Sequence, residues 1–190
     1  MSFFRQSVLF EGLLGIAAMF AGFLFGYPFW QNCRFDITAL IYTAAVLLPL
    51  LAAYFFLNFL PFWSVKKVDQ IVRLVIQREM SDFSVWQFIV VAAAAGFGEE
   101  FLFRGLLQGG LTDYFGQLYQ IAVILFVSIL FGLAHSVTKL YAFLAFLISL
   151  YFCYVYVWTQ NLLVPVAVHG FYDLFVFLLI RYEKKATPNK

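Results

Sequence analysis

Residues 84–108 read SVWQFIVVAAAAGFGEEFLFRGLLQ, and the fold turns on how this stretch is taken. It is long and apolar enough to cross a bilayer, which takes about 20 residues. Yet it carries Glu99, Glu100 and Arg104. An ionisable group at the centre of a span costs about 2.5 to 3.5 kcal/mol on insertion scales, while a Leu or Phe returns only about 0.3 to 0.6. Three unpaired charges would cost about 7 to 10 kcal/mol. Insertion does not call for these residues, so they must face a protein interior and have partners there.

Outward from this stretch the chain repeats the pattern without the charges. Apolar blocks cover 12–30, 37–62, 117–137, 140–158 and 162–180. Of the 190 residues 64% are hydrophobic and 12% charged, with a mean hydropathy of +0.91. A soluble domain is about half apolar and about a quarter charged. This composition excludes a soluble globular protein and a disordered chain. The net charge of +2 is too small to steer a polyanion, so no nucleic-acid partner is expected. Cys33 and Cys153 make no disulfide framework and fit no zinc knuckle. The expected fold is all-α: a polytopic membrane bundle of about six transmembrane helices plus one interfacial helix. It forms a single membrane domain, 1–190, with short loops and no internal repeat. The first block is too long for a signal peptide and no small-x-small cleavage site follows it.

Lys and Arg counts orient the bundle. With the N-terminus in the cytoplasm, the inner side holds Arg5, Lys66, Lys67, Arg73, Arg78, Lys139, Arg181, Lys184, Lys185 and Lys190, ten of the twelve basic residues. Arg34 alone falls outside, and Arg104 lies within a span. The expectation is a multi-pass cell-membrane protein with both termini cytoplasmic. Between the second and third spans, Val65, Val68, Ile71, Val72, Val75 and Ile76 recur at helical spacing, with Lys66, Lys67, Asp69, Arg73, Gln77 and Arg78 on the other face. Residues 65–79 are therefore predicted to form an amphipathic helix in the interface. It either covers the bundle or touches anionic lipid or a substrate gate. Ser84 and Gln87 form a capping pattern for the third span, and Gly109-Gly110 are expected to end it.

The buried charges fall into a pattern. Glu100 and Arg104 stand at i,i+4 and can pair on one helix face. Glu99 lies about 100° round the helix and remains free to act as a general base. The only two histidines, His135 and His169, are also in spans, and His169 shares a face with Asp173 at i,i+4. Each piece has a structural reading. Glu100 with Arg104 can be an ion pair, His135 a core histidine bonded to a carbonyl, and His169 with Asp173 a polar clamp between helices. Ser128 and Ser149 read as packing residues, Thr112-Asp113 as a turn, and Cys153 as an inert buried thiol. Taken jointly, Glu99, His135, His169 and Asp173 come from three helices and form a hydrolytic or metal-binding set.

Glu99-Glu100-Phe101-Leu102-Phe103-Arg104 resembles the EExxxR motif of the CPBP family, the CAAX prenyl endopeptidases and bacteriocin-processing membrane proteases. Phe131 to His135 matches that family's FxxxH, and His169 to Asp173 its HxxxN/D. The three motifs appear in order over a core of residues 84–181. The resemblance implies a helical intramembrane endopeptidase acting on a membrane-associated peptide or protein, lipidated or of leader type, in the inner membrane of a bacterium. It implies that Glu99 activates water, with His135 helping to position it. His169 and Asp173 would stabilise the oxyanion, and Glu100 with Arg104 would be the orienting pair. The family has been classed both as metalloproteases and as metal-independent glutamate proteases. If zinc is the cofactor, Glu99, His135, His169 and Asp173 would be its ligands. Eukaryotic members favour Asn where this chain has Asp173. An ionised Asp cannot donate to an oxyanion, but a protonated one can, and Asp173 would equally orient His169. Two other readings use the same groups: a proton-coupled or metal-ion transporter, and a non-catalytic immunity or scaffold protein. The absence of an inverted repeat weighs against the transporter.

Overall fold

A computed structural model describes residues 1–186. The chain is all-helical, as its composition requires. In order come α1 (Phe3–Leu24), a 3₁₀ turn (Phe29–Asn32), α2 (Ile37–Phe59), α3 (Trp63–Glu79) and α4 (Val85–Glu100). α4 runs on through a π-helical segment (Phe101–Gly109) into α5 (Gly110–Phe115). A second 3₁₀ turn (Gln117–Tyr119) leads to α6 (Gln120–Ala134), α7 (Lys139–Thr159) and α8 (Leu163–Ala186). Among the described residues, six helical stretches are long and apolar enough to cross a membrane: 3–24, 37–59, 85–115, 117–134, 139–159 and 163–183. The side chains of Lys184 and Lys185 and the whole of Lys190, counted above in the basic tail, lie outside the described residues.

The rod 85–115 is the centre of the bundle. It has 39% of its most apolar window buried, against 17% for α1 and for α2. α1 and α8 pack on it directly, α2 lies beyond α8, and α6 pairs with α7. Outward-facing Phe10, Leu13, Ile16, Phe20 and Phe23 on α1 are exposed. A row of bare apolar side chains along a helix belongs in lipid, not water. Inside, Phe103, Val127, Phe131 and Cys153 join the π segment to α6 and α7. Val46 and Leu50 join α2 to Phe152 on α7 and Val168 on α8.

Several predicted boundaries are corrected. The first span begins at Phe3 rather than at 12 and ends at Leu24 rather than at 30. Gly26 at φ +69° and Pro28 stop the helix, and Glu11, which the apolar window excluded, lies inside it. Gly109-Gly110 do not end the third span. Both keep right-handed helical dihedrals, and their bare faces accommodate Tyr27, whose hydroxyl a Cβ on Gly109 would approach to 2.5 Å. The rod stops instead at Gly116, φ +89°, so Thr112 and Asp113 are helical rather than a turn. The start is as expected: Ser84 N–H donates to Gln87 Oε1 at 2.8 Å. The amphipathic helix begins two residues early, at Trp63, where Lys67 Nζ lies 4.9 Å from the Trp63 ring centroid. Arg73 pairs with Asp69 at 2.6 Å and also with Glu183, tying α3 to α8.

α6 has only 15 residues. At 1.5 Å per residue it is about 22 Å long, short of the roughly 30 Å of a hydrocarbon core. His135 follows its last residue, at the end of the span 117–134. Both cysteines are free. Burial pushes the Cys33 thiol, in the connection between α1 and α2, up to about 11.

Candidate active site

The site is assembled by two glycines. A Cβ on Gly96 would come within 2.6 Å of the Val166 carbonyl oxygen and 3.0 Å of the Gly170 nitrogen, both on α8. A Cβ on Gly98 would overlap the Glu11 carbonyl on α1. Without side chains here, α8 and α1 press against two faces of α4 immediately before Glu99. Small residues permit such close crossings in membranes, where no hydrophobic force between helices compensates for a gap. This crossing brings His169 and Asp173 of α8, and Glu11 of α1, up to Glu99 and Glu100.

Glu99 faces His135 from the neighbouring helix, with Oε2 3.6 Å from Nε2. His135 is fixed from behind. Its Nδ1 lies 2.9 Å from the Phe131 carbonyl, and its ring stacks on Phe131, 4.3 Å between centroids and 20° from parallel. A carbonyl only accepts, so Nδ1 carries a hydrogen, and Nε2 is the nitrogen turned toward Glu99.

Glu100 and Arg104 are sealed, with no side-chain exposure, whereas Glu99 keeps 15% and His135 25%. The first pair is therefore structural in position and the second accessible. Arg104 Nε lies 3.1 Å from Glu100 Oε2 and Nη1 donates to Oε1 at 3.2 Å. Nη2 reaches Ser149 Oγ at 3.1 Å and its carbonyl at 3.3 Å. The guanidinium lies between two aromatic rings, 4.8 Å from Phe131 and 5.2 Å from Phe152. Those same rings carry the histidines: Phe131 stacks on His135, and Phe152 on His169 at 5.6 Å and 14°. One buried cation thus anchors both platforms.

Glu100 does more than neutralise Arg104. Its Oε1 lies 2.7 Å from His169 Nδ1, a bond the spacing analysis missed because it joins residues 69 apart. A carboxylate accepts through both oxygens, so Glu100 serves Arg104 and His169 together. On the opposite nitrogen, His169 Nε2 lies 3.6 Å from Asp173 Oδ2 on the same helix face. Ser149, read from sequence as packing, is instead a partner of Arg104. Cys153 is fully buried, and its Sγ lies 3.7 Å from Ser128 Oγ.

Glu99 and Asp173 open onto a cavity of about 320 Å³. Its wall is the apolar face of α3, with Val68, Ile71, Val72, Val75 and Ile76, so this face turns toward the site. Ser7, Glu11, Thr138 and Tyr141 complete the polar side. Glu11 is the residue that sequence reasoning missed. The available signal was a lone carboxylate inside an apolar run that begins at Phe3, concealed because the span was drawn from residue 12.

The four residues expected to ligate zinc are close together but do not form a metal-binding arrangement. His169 Nδ1 is engaged by Glu100. Among the described residues, no group of three His, Cys, Asp or Glu is placed to hold a metal ion. The donor set as arranged does not fit zinc, and no step below is routed through a metal.

Comparison with known proteins gives one match. Residues 81–175 match the family described as type II CAAX prenyl endopeptidase Rce1-like. No curated protein and no solved structure matches the chain. The matched stretch contains Glu99, Glu100, Arg104, His135, His169 and Asp173, and excludes α1 and α3. The chain belongs to the type II CAAX prenyl endopeptidase Rce1-like family.

Proposed function

We propose that this protein is an intramembrane endopeptidase whose core, residues 84–181 of one membrane domain, hydrolyses a peptide bond in a membrane-associated substrate. The observation that carries this reading is the opposition of Glu99 Oε2 and His135 Nε2 at 3.6 Å, with Glu99 lining the cavity. With the imidazole neutral both atoms are acceptors, and a water seated to one side of the pair, within reach of both, donates a hydrogen to each. Glu99 takes the proton as this water attacks the carbonyl carbon, and the C–O bond forms. The oxyanion that develops is met by His169, whose Nδ1 is held by Glu100 and whose Nε2 donates when protonated. Asp173 orients that nitrogen. Glu99 then returns the proton to the leaving amine as the C–N bond breaks. Glu100 and Arg104 touch no reacting atom; they position His169 and the aromatic platforms. The family match favours hydrolysis over the transporter and scaffold alternatives.

The test is cleavage by the protein reconstituted in vesicles, with proton and metal-ion flux recorded beside it. Glu99→Gln and His135→Ala should each lower kcat by about 10² to 10⁴, the range for a lost general base or its partner. Flux that depends on Glu99, without peptide cleavage, would replace this reading with the transporter.

A further inference from the structure

We propose that Glu11 is a specificity residue of this site and that it receives a basic side chain, Lys or Arg, of the peptide being cut. The proposal rests on the protease reading and names the substrate class for it. Glu11 lies outside the residues matched to the family, so the preference would belong to this chain's own α1.

The argument begins with an unpaired oxygen. Glu11 lines the cavity beside Glu99 and Asp173 and lies within electrostatic reach of Glu99, His169 and Asp173. Its Oε2 is hidden from solvent and has no hydrogen-bond partner in the protein. The close crossing at Gly98 fixes it there, since a Cβ on Gly98 would meet this same Oε2 at 3.0 Å. A buried carboxylate is costly unless paired. Of the other three carboxylates of the site, Glu100 has Arg104 and His169, Asp173 faces His169, and Glu99 faces His135, although its Oε2 is, like that of Glu11, hidden and without a hydrogen-bond partner. Even with both imidazoles protonated, these pairings use every positive group and leave Glu11 over. No Lys or Arg lines the cavity among the described residues.

This charge balance selects the occupant. A basic side chain would find a countercharge at Glu11 and an apolar wall on α3 for its alkyl stem. Long cationic side chains use such settings by burying the stem and directing the charged end at a polar partner. The class of substrate is therefore a peptide segment with a Lys or Arg close to the scissile bond.

The experiment uses the full chain in vesicles and N-palmitoylated, internally quenched decapeptides that differ at single positions in carrying Lys, norleucine or Glu. The readout is the ratio of kcat/KM between two peptides in one protein preparation, so a partly unfolded variant does not distort it. At one position the wild type should favour Lys over norleucine by about tenfold, the lower end for a desolvated charge pair. Glu11→Gln should bring this ratio to about one, and Glu11→Lys should turn the preference toward the Glu peptide. Glu99-dependent cleavage with no Lys preference at any position, or a preference that Glu11→Gln leaves intact, would overturn the inference alone. A complete lack of Glu99-dependent cleavage would overturn the protease reading and this inference with it.

Discussion

Arg104 is the residue on which the site's geometry depends. It is fully buried, it pairs with Glu100, it bonds Ser149, and it lies between the rings that support His135 and His169. Desolvating such a pair consumes much of its Coulombic gain, but removing one member leaves an uncompensated buried charge. Arg104→Met should therefore destabilise the protein by about 3 to 5 kcal/mol, read from its unfolding midpoint in mixed micelles. Adding Glu100→Gln should recover part of that loss, because the stranded charge goes too. Arg104→Lys should not rescue, since a point charge cannot hold Glu100 and Ser149 at once. At this scale the sequence was informative where partners are four residues apart. Glu100 with Arg104 and His169 with Asp173 were legible because helical spacing puts them on one face. The Glu100 to His169 bond and the Ser149 contact were not, since spacing within one helix says nothing about a partner on another.

The elements show the same division. Six spans and an amphipathic helix could be read from periodicity and charge, because lipid leaves a chain few other solutions. Their ends could not be read as well. Gly109-Gly110 look like a stop signal but serve the approach of Tyr27, and Glu11 looks like a boundary but lies within α1. The glycines of α4 bear a definite load in this account. Gly98→Val should cost about 1 to 3 kcal/mol by overpacking against α1, and should lower activity further by parting α1 from α4 beside Glu99. Gly12, one residue beyond Glu11, has open space where its Cβ would go. Gly12→Ala should be neutral, or stabilising by up to about 1 kcal/mol from helix propensity. Unfolding midpoints of the two variants, with activity measured on the same samples, decide this. Equal behaviour would mean that the crossing is not tight.

At the scale of the whole molecule, one end of the bundle gathers the start of α1, the helix α3, the connection at 135–138 and the end of α8. The cavity is lined from that end, by Phe3, α3, Val137 and Thr138. The basic residues also concentrate there, and the positive-inside rule predicts a cytoplasmic position for that end. Epitope tags at the N- and C-termini should therefore both be protected in intact spheroplasts and both become accessible after lysis. A tag reached from outside would reverse the orientation and put the cavity on the other face. The central claim is that Glu99 performs the chemistry of a membrane protease, and the most direct measurement compares peptide termini across the membrane proteome. Cells would carry the wild type or Glu99→Gln at matched protein levels, with the variant shown to be folded. The account predicts a defined set of cleavages present with the wild type and lost with Glu99→Gln. An identical set of termini in both would contradict it.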